Sequence, residues 1–331
     1  MRYIGSKTLL LNEIATVVKS CTDNGIFCDP FGGIGTVGNY MKKMGYTVIT
    51  GDILNFAHFF QIALIENCGQ YSFEKLKASL QIVGDDELEK ILSSVELSSG
   101  WLIDEYAIKR NFFTYENACN IQGCIFYIEK WKKEKLINDE EYAILIASLI
   151  HSLDKVANTA GTYYAYLKEY HRKARAKFKF TMLKPTNGTK DCKSFLLDAN
   201  ELVRKIKCDV LYLDPPYNER NYARYYHLPE TISLGMVPNP VGKSGMFTPY
   251  ENKSKYNSKY ATQAFENLIK CAQTKFIIFH YTDDGIIKAD DARRILKEKG
   301  KVEEFYLNCK GYNNTSHNYN SSKHHIFKVV V

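Results

Sequence analysis

The stretch Cys28-Asp29-Pro30-Phe31-Gly32-Gly33-Ile34-Gly35-Thr36-Val37-Gly38 decides the fold class. Gly33, Gly35 and Gly38 fit the spacing G-x-G-x-x-G, and a carboxylate, Asp52, follows Gly33 about 20 residues on. The apolar segment from Ile26 to Asp29 reads as a short buried strand leading into the turn. Helical patterning from Thr36 to Met44 follows and Gly45 stops it. Thr47 to Asp52 is a second strand that ends on the acid. This is one β-α-β unit whose turn lets the backbone approach a ligand, with an acid placed to accept hydrogen bonds from ribose hydroxyls. The pattern indicates a nucleoside without naming it. An NAD-dependent oxidoreductase uses the same turn to seat a pyrophosphate on a helix N-terminus and stays a rival, and the plainest alternative is a tight strand-to-helix turn.

Outward from this unit, Ser6 or Thr8 can cap a helix running to about Cys21, and Asn55 to Glu66 is again helical. From about Gly69 to Lys190 the strand-helix alternation stops and the chain becomes helical, rich in tyrosine and locally basic. Alternation resumes with a strand from Ser194 to Leu197, ending on Asp198, and another from Asp209 to Leu213 that runs into Asp214. A helix from Ala261 to Gln273, a strand from Phe276 to His280 and a helix from Asp290 to Lys299 stopped by Gly300 come next. Two closing strands, Glu303 to Cys309 and His324 to Val331, are joined by an Asn-rich turn around Asn313 and Asn314. The expected architecture is a Rossmann-like α/β fold with a mixed, mostly parallel sheet. Residues 1–68 and 191–331 form its main domain, and 69–190 form an inserted, mainly helical lobe. Ligands of open α/β sheets bind outside the carboxyl ends of the strands, so Asp29, Asp52, Asp198 and Asp214 are expected to converge there.

Composition narrows the partners. The 331 residues are 45% hydrophobic and 24% charged, which suits a packed core and excludes a disordered chain. A formal charge of +7 favours a polyanion, and 24 Tyr against 2 Trp supplies rings that stack on bases while keeping a polar end. Nine cysteines without a CxxC pair point to reduced thiols in a cytoplasmic protein, with no disulfide and no metal site. His324 and His325 are adjacent rather than at ligand spacing. Asn12 and Glu13 make the N-terminal apolar stretch amphipathic rather than a signal peptide, and no segment approaches the ~20 apolar residues of a membrane span. Two stretches imitate a phosphate loop. Gly5-Ser6-Lys7-Thr8 has the wrong order before its lysine, and Gly242-Lys243-Ser244 lacks the upstream glycine because Val237 stands there.

The chemistry concentrates in Asp214-Pro215-Pro216-Tyr217. An adenine amine is a weak nucleophile because its lone pair is delocalised into the ring. One carboxylate and one backbone carbonyl can bind both amine hydrogens and localise that lone pair, and Asp214 with the Pro215 carbonyl offers such a pair. The adjacent prolines Pro215 and Pro216 restrict the backbone that presents the carbonyl. Tyr217 can stack on a base turned out of its duplex. Methylation at cytosine C5 is excluded, since it needs a cysteine nucleophile after proline and none of the 8 prolines precedes a cysteine. Cytosine N4 shares the amine chemistry and remains the alternative substrate.

Tyr3-Ile4-Gly5-Ser6-Lys7, Asp29 to Gly35, Asp52, Asp198, Asp214 to Tyr217 and the stretch Arg220 to Glu230 together resemble the DNA adenine-N6 methyltransferases of the alpha motif order, common as modification halves of restriction systems. The resemblance implies an S-adenosylmethionine-dependent methyltransferase acting on double-stranded DNA, working beside a cognate restriction endonuclease and as a monomer. It implies that Tyr3, Gly5 and Lys7 help hold the cofactor, with Lys7 suited to its methionine carboxylate. Asp29, Pro30, Phe31, Gly32, Gly33 and Gly35 would wrap it, Asp52 with Ile53 would meet the ribose, and Asp198 with Ala199 the adenine. The same resemblance places target recognition between Asp52 and Asp198, where the irregular basic stretch lies. Within it, His171 to Phe180 interleaves cations with aromatics, so Arg172, Lys173, Arg175 and Lys177 are phosphate candidates, a solvated helix face being the other reading. Arg220, Asn221, Tyr222, Tyr226 and His227 are candidates for the loop around the flipped base, bracing that loop being the other reading. His280-Tyr281-Thr282, read as following the fifth strand, departs from the family's usual polar trio.

Overall fold

The computed structural model describes residues 1–69, 71–189, 191–247, 253–282, 285–309 and 322–331, so the turn expected around Asn313 and Asn314 lies outside the described residues. The chain forms two compact units: one of Lys7–Ile53, Thr186–Asn221 and Lys253–Val331, the other of Met1–Ser6, Leu54–Pro185 and Tyr222–Asn252. The first is built on a sheet and the second on helices.

The sheet unit carries seven strands, β1 (Ile26–Asp29), β2 (Thr47–Asp52), β3 (Lys193–Leu196), β4 (Cys208–Leu213), β5 (Thr274–Thr282), β6 (Lys301–Cys309) and β7 (Ser322–Val330). Their spatial order is β3-β2-β1-β4-β5-β7-β6, parallel except for β7, which runs antiparallel between β5 and β6. The expected mixed, mostly parallel sheet is therefore present, and β1 and β2 have the bounds read from the sequence. Chain order reverses between β1 and β4, the topological switch point at which open α/β sheets bind ligands. Pairing of Phe27 with Val210 and Cys28 with Leu211 sets β1 and β4 in register there, so that Asp29 ends one strand and Asp214 follows the other.

Both faces of the sheet are covered, which explains why β4 reads as an almost unbroken apolar run. On one face Cys28, Leu211, Leu213, Ile277, Phe279, Phe327 and Val329 pack with Phe265, Leu268 and Leu296 from the helices Ala261–Cys271 and Ala289–Lys297. On the other, Phe27 stacks on Tyr212 at 5.9 Å and meets Tyr46 edge-on at 6.4 Å. The first helix begins later than its sequence suggests. Thr8–Leu10 form a 3-10 turn before Leu11–Lys19, and the cap positions fall on Lys7 and Leu10 rather than on Ser6 or Thr8.

In the helical unit, Tyr115–Lys133 is capped by the Thr114 hydroxyl, and Asp139–Leu153 by a reciprocal pair of Asn138 and Glu141. The stretch expected as interleaved cations and aromatics is not a helix face. Arg172–Arg175 form one 3-10 turn, after which the chain runs extended and its amides are taken by side chains instead of a neighbouring strand. Asn117 accepts from Phe178 N at 2.8 Å, Ser93 from Phe180 N at 3.0 Å, Ser152 from Thr181 N at 2.9 Å, Glu89 from Met182 N at 2.7 Å and Ser148 from Leu183 N at 3.0 Å. Buried amides need partners, and here the helices supply them one side chain at a time.

The units divide the chain differently from the expected boundaries at 68/69 and 190/191. Asn55–Gln61 belongs to the helical unit because Phe56, Ala57 and Phe60 bury one face of it against Asp139–Leu153 and His227–Ser233. Glu230, 2% exposed, caps that helix from a distance: its carboxylate accepts from Asn55 N at 2.9 Å, Asn55 Nδ2 at 2.8 Å and Phe56 N at 3.1 Å. A carboxylate at a helix N-terminus satisfies orphan donors and complements the dipole. Glu230→Ala is expected to destabilise the protein by about 2–4 kcal/mol in denaturant unfolding, since it strands buried donors. An unchanged midpoint would show that the cap is dispensable.

Candidate active site

At the switch point, the carboxyl end of β1 presents Asp29, 3% exposed, and the residue after β4 presents Asp214, whose side chain is 18% exposed. Lys7, immediately before the first 3-10 turn, is 7% exposed and donates from Nζ to Asp214 Oδ2. Asp29 Oδ1 accepts from Phe31 N at 3.1 Å, and Asp52 Oδ2 from Gly33 N at 3.0 Å, so each strand-end acid is tied to the glycine turn. Gly33 and Gly35 have φ of 51° and 77°, the left-handed region that an L side chain resists, and Gly35 N closes the turn on Gly32 O at 2.8 Å.

Electrostatics divide the acids. Burial, then the Asp214 charge and more weakly that of Asp52, push Asp29 up to about 8 against the opposing Phe31 amide and Lys7. Burial raises Asp214 too, but the Lys7 cation opposes it directly. Two carboxyl groups in one dry site cannot both ionise cheaply. Asp29 therefore keeps its proton at neutral pH, and Lys7–Asp214 is the ionic pair.

The catalytic candidates continue from Asp214 with Pro215 buried and Pro216 and Tyr217 half-buried. The Tyr217 carbonyl accepts from Ile286 N at 3.0 Å and the Asn218 carbonyl from Asn257 Nδ2 at 2.7 Å, which fixes the loop after the prolines. Phe31 meets Tyr256 edge-on at 4.8 Å, and the Tyr256 hydroxyl donates to Asn200 Oδ1 at 2.9 Å. Asp198 caps the following helix, Ala199–Lys205, through Asn200 N at 2.9 Å. Asp198 and Ala199 are thus linked to the glycine turn through Asn200, Tyr256 and Phe31.

A family model described as D12 class N6 adenine-specific DNA methyltransferase matches residues 3–295. The chain belongs to this family. Among named relatives, the type II methyltransferase M.FokI of Planomicrobium okeanokoites is 36% identical over 317 residues, covering 93% of this chain and 48% of that protein. Modification methylase StsI of Streptococcus sanguinis is 37% identical over 306 residues, covering 90% and 46%. The type II methyltransferase M.NlaIII of Neisseria lactamica is 33% identical over 312 residues, covering 92% and 90%. The chain spans about half the length of the first two relatives and most of the third.

For a D12 methyltransferase, the sheet unit gathers Lys7, Asp29, Pro30, Phe31, Gly32, Gly33, Gly35, Asp52, Ile53, Asp198, Ala199 and Asp214 with Pro215, Pro216 and Tyr217. Tyr3 and Gly5 belong to the helical unit, where Tyr3 stacks on Tyr226 at 5.1 Å and lies 5.8 Å from Tyr222. Two of the candidates for the loop around the flipped base lie inside the protein. Tyr226 is fully buried and its hydroxyl accepts from Ile4 N at 2.7 Å. His227 is 4% exposed and donates from Nε2 to the Tyr163 carbonyl at 2.8 Å, and burial pushes its pKa down to about 4. Neither side chain reaches the surface. Arg172, Arg175, Lys177 and Arg220 are exposed, and Asn221 and Tyr222 half-buried, but Lys173 turns its ammonium to the Asp154 carbonyl at 3.3 Å.

The sequence reading missed Asn200, Tyr256 and Asn257, which act through single hydrogen bonds and carry no spacing signal. It also ended the fifth strand at His280, whereas Tyr281 and Thr282 continue it. His280 is fully buried; its Nδ1 pairs with the Tyr212 hydroxyl at 3.0 Å and its Nε2 with His324 Nδ1 at 2.9 Å. Burial first, and then the Lys7 cation, push His280 well below the usual imidazole range, so this floor stays uncharged.

Proposed function

We propose that this chain transfers a methyl group from S-adenosylmethionine to N6 of adenine in double-stranded DNA, as the modification partner of a restriction endonuclease. The observation that carries the reading is the part-buried Lys7–Asp214 pair at the switch point, with Pro215 and Pro216 directly after Asp214. The residues suit the cofactor. Gly33 and Gly35 open the backbone of the turn, Asp52 offers a carboxylate for ribose hydroxyls, and Phe31, Asp198 and Ala199 lie along the route to its adenine. When bound, S-adenosylmethionine supplies an electrophilic methyl group on a sulfonium.

The chain's own residues prepare the nucleophile. Asp214 and the Pro215 carbonyl accept the two amine hydrogens and localise the lone pair, while Pro215 and Pro216 hold the carbonyl without an ordering cost. The Tyr217 ring stacks on the turned-out base. Lys7, expected to meet the methionine carboxylate of the cofactor, also has its ammonium on Asp214, where it keeps the carboxylate able to accept hydrogen bonds. Once the C–N bond forms, the amine sheds a proton, and burial gives Asp214 the raised proton affinity to receive it.

The helical unit, including the basic stretch between Asp52 and Asp198, carries target recognition in this reading, with its Arg172, Arg175, Lys177 and Tyr222, and Arg220 and Asn221 of the sheet unit, toward the DNA. The chain is proposed to act as a monomer in the cytoplasm; separately, among the described residues no helix is long and apolar enough to cross a membrane. Incubation with labelled cofactor and duplex DNA followed by nucleoside analysis is expected to yield N6-methyladenine, and S-adenosylmethionine rather than NAD is expected to raise the melting temperature. Methylcytosine as the sole product would overturn the base assignment, and protection by NAD alone would overturn the cofactor.

A further inference from the structure

Burial of Tyr226 leaves its neighbour in the stretch Tyr222-Ala223-Arg224-Tyr225 in a different position. Tyr225 is half-buried, and its ring stacks on Tyr164 with centroids 4.9 Å apart and planes 18° from parallel. The two rings form a ledge whose outer member, Tyr164, is 49% exposed. Its base is rigid: Tyr163 N donates to the Tyr225 carbonyl at 2.9 Å, and the Tyr163 ring, 1% exposed, stacks on Phe112 at 6.2 Å while its hydroxyl donates to Asp154 at 3.2 Å. Adjacent tyrosines thus part company, Tyr163 anchoring the segment and Tyr164 standing out from it.

We propose that the Tyr164–Tyr225 ledge is a stacking platform for a nucleobase of the DNA substrate that has left the duplex stack, other than the one that stacks on Tyr217. The inference rests on the function proposed above and names a contact within it. Among the described residues neither hydroxyl of the pair bonds to protein, so the rings are not held there for an internal hydrogen bond. Arg224, exposed and next to Tyr225 in the chain, offers a cation for the phosphate of the stacked nucleotide. Because every base has a π-face, the contact is tolerant of sequence and adds affinity without specifying a site. A ring pair already stacked pays no ordering cost when a base joins it.

The test measures binding of the duplex methylated in the nucleoside assay, by fluorescence anisotropy, for wild type and for Tyr164→Phe, Tyr164→Trp, Tyr164→Leu and Tyr164→Ala. Phe and Trp are expected to bind within about two-fold of wild type, whereas Leu and Ala lose about 5- to 150-fold, the range that base–aromatic stacking carries. Melting temperature and affinity for S-adenosylmethionine are expected to stay unchanged in the Leu variant, which keeps apolar packing on Tyr225. Wild-type DNA affinity in Tyr164→Leu would overturn the ledge, as would a loss in Tyr164→Ala that Leu restores, because packing rather than stacking would then be at work. A wild-type chain that neither binds nor methylates DNA would instead remove the function on which the ledge rests.

Discussion

Asp214→Ala is expected to lower kcat for DNA methylation by about three orders of magnitude while affinity for S-adenosylmethionine changes only a few-fold. The carboxylate is one of two acceptors proposed for the target amine, and removing one preorganised electrostatic group from a dry site costs about 10²–10³ in rate. Loss of its role as proton acceptor adds to that. The substitution has a second consequence that must be separated from the first. Lys7, 7% exposed, would be left a buried cation without its carboxylate, and because Asp214 is 18% exposed the loss of stability is expected below the ~3–5 kcal/mol that breaking a fully buried pair costs. The double variant Lys7→Met with Asp214→Ala restores neutrality, so it is expected to recover much of the melting temperature and none of the activity. Turnover in Asp214→Ala within ten-fold of wild type would sink the role given to this carboxylate, whatever its stability.

How far the sequence disclosed this site follows from which interactions are local. The acids at the ends of β1 and β2 were legible because an apolar run closed by a carboxylate has one sensible reading in a parallel sheet, and Gly35 is indeed the residue before the helix Thr36–Lys43. Asp214 was legible for the same reason, two prolines after a buried strand being hard to explain otherwise. What stayed hidden depends on side chains meeting across long separations. Lys7 and Asp214 are 207 residues apart, and nothing in either neighbourhood announces the other. Glu230 reaches 175 residues back to cap Asn55, which is part of why the helix after Asp52 belongs with the helical unit rather than with the sheet its sequence continues. Whether Tyr226 and His227 line the loop or brace it was not legible, because proximity to a catalytic motif says nothing about which face of a short helix is buried. In His227–Ser233 every residue is buried.

Asp29→Asn tests the electrostatic division of the site without touching the proposed chemistry. In the folded protein Asp29 is pushed up to about 8, chiefly by burial and then by Asp214, from an ordinary value of 3.8. An acid whose folded pKa lies above its unfolded one binds the proton in the folded state while the unfolded chain has released it. Stability then falls as pH rises from the unfolded value toward the folded one, and levels off above it. Wild type without cofactor is therefore expected to lose stability steadily from about pH 4 to about pH 8, and Asp29→Asn, which cannot ionise, to escape that part of the loss. Asn also keeps an oxygen for Phe31 N, now at 3.1 Å from Asp29 Oδ1, so the turn need not rearrange. The difference in unfolding free energy between variant and wild type should be smallest near pH 5, grow through neutrality by at least ~1 kcal/mol, and stop growing above pH 8. Urea midpoints at pH 5, 6, 7, 8 and 9 measure it. A gap independent of pH would mean that Asp29 is ionised alongside Asp214. Lys7 would then be balancing two carboxylates rather than one, and Asp214 would have no privileged claim on the ammonium that keeps it charged.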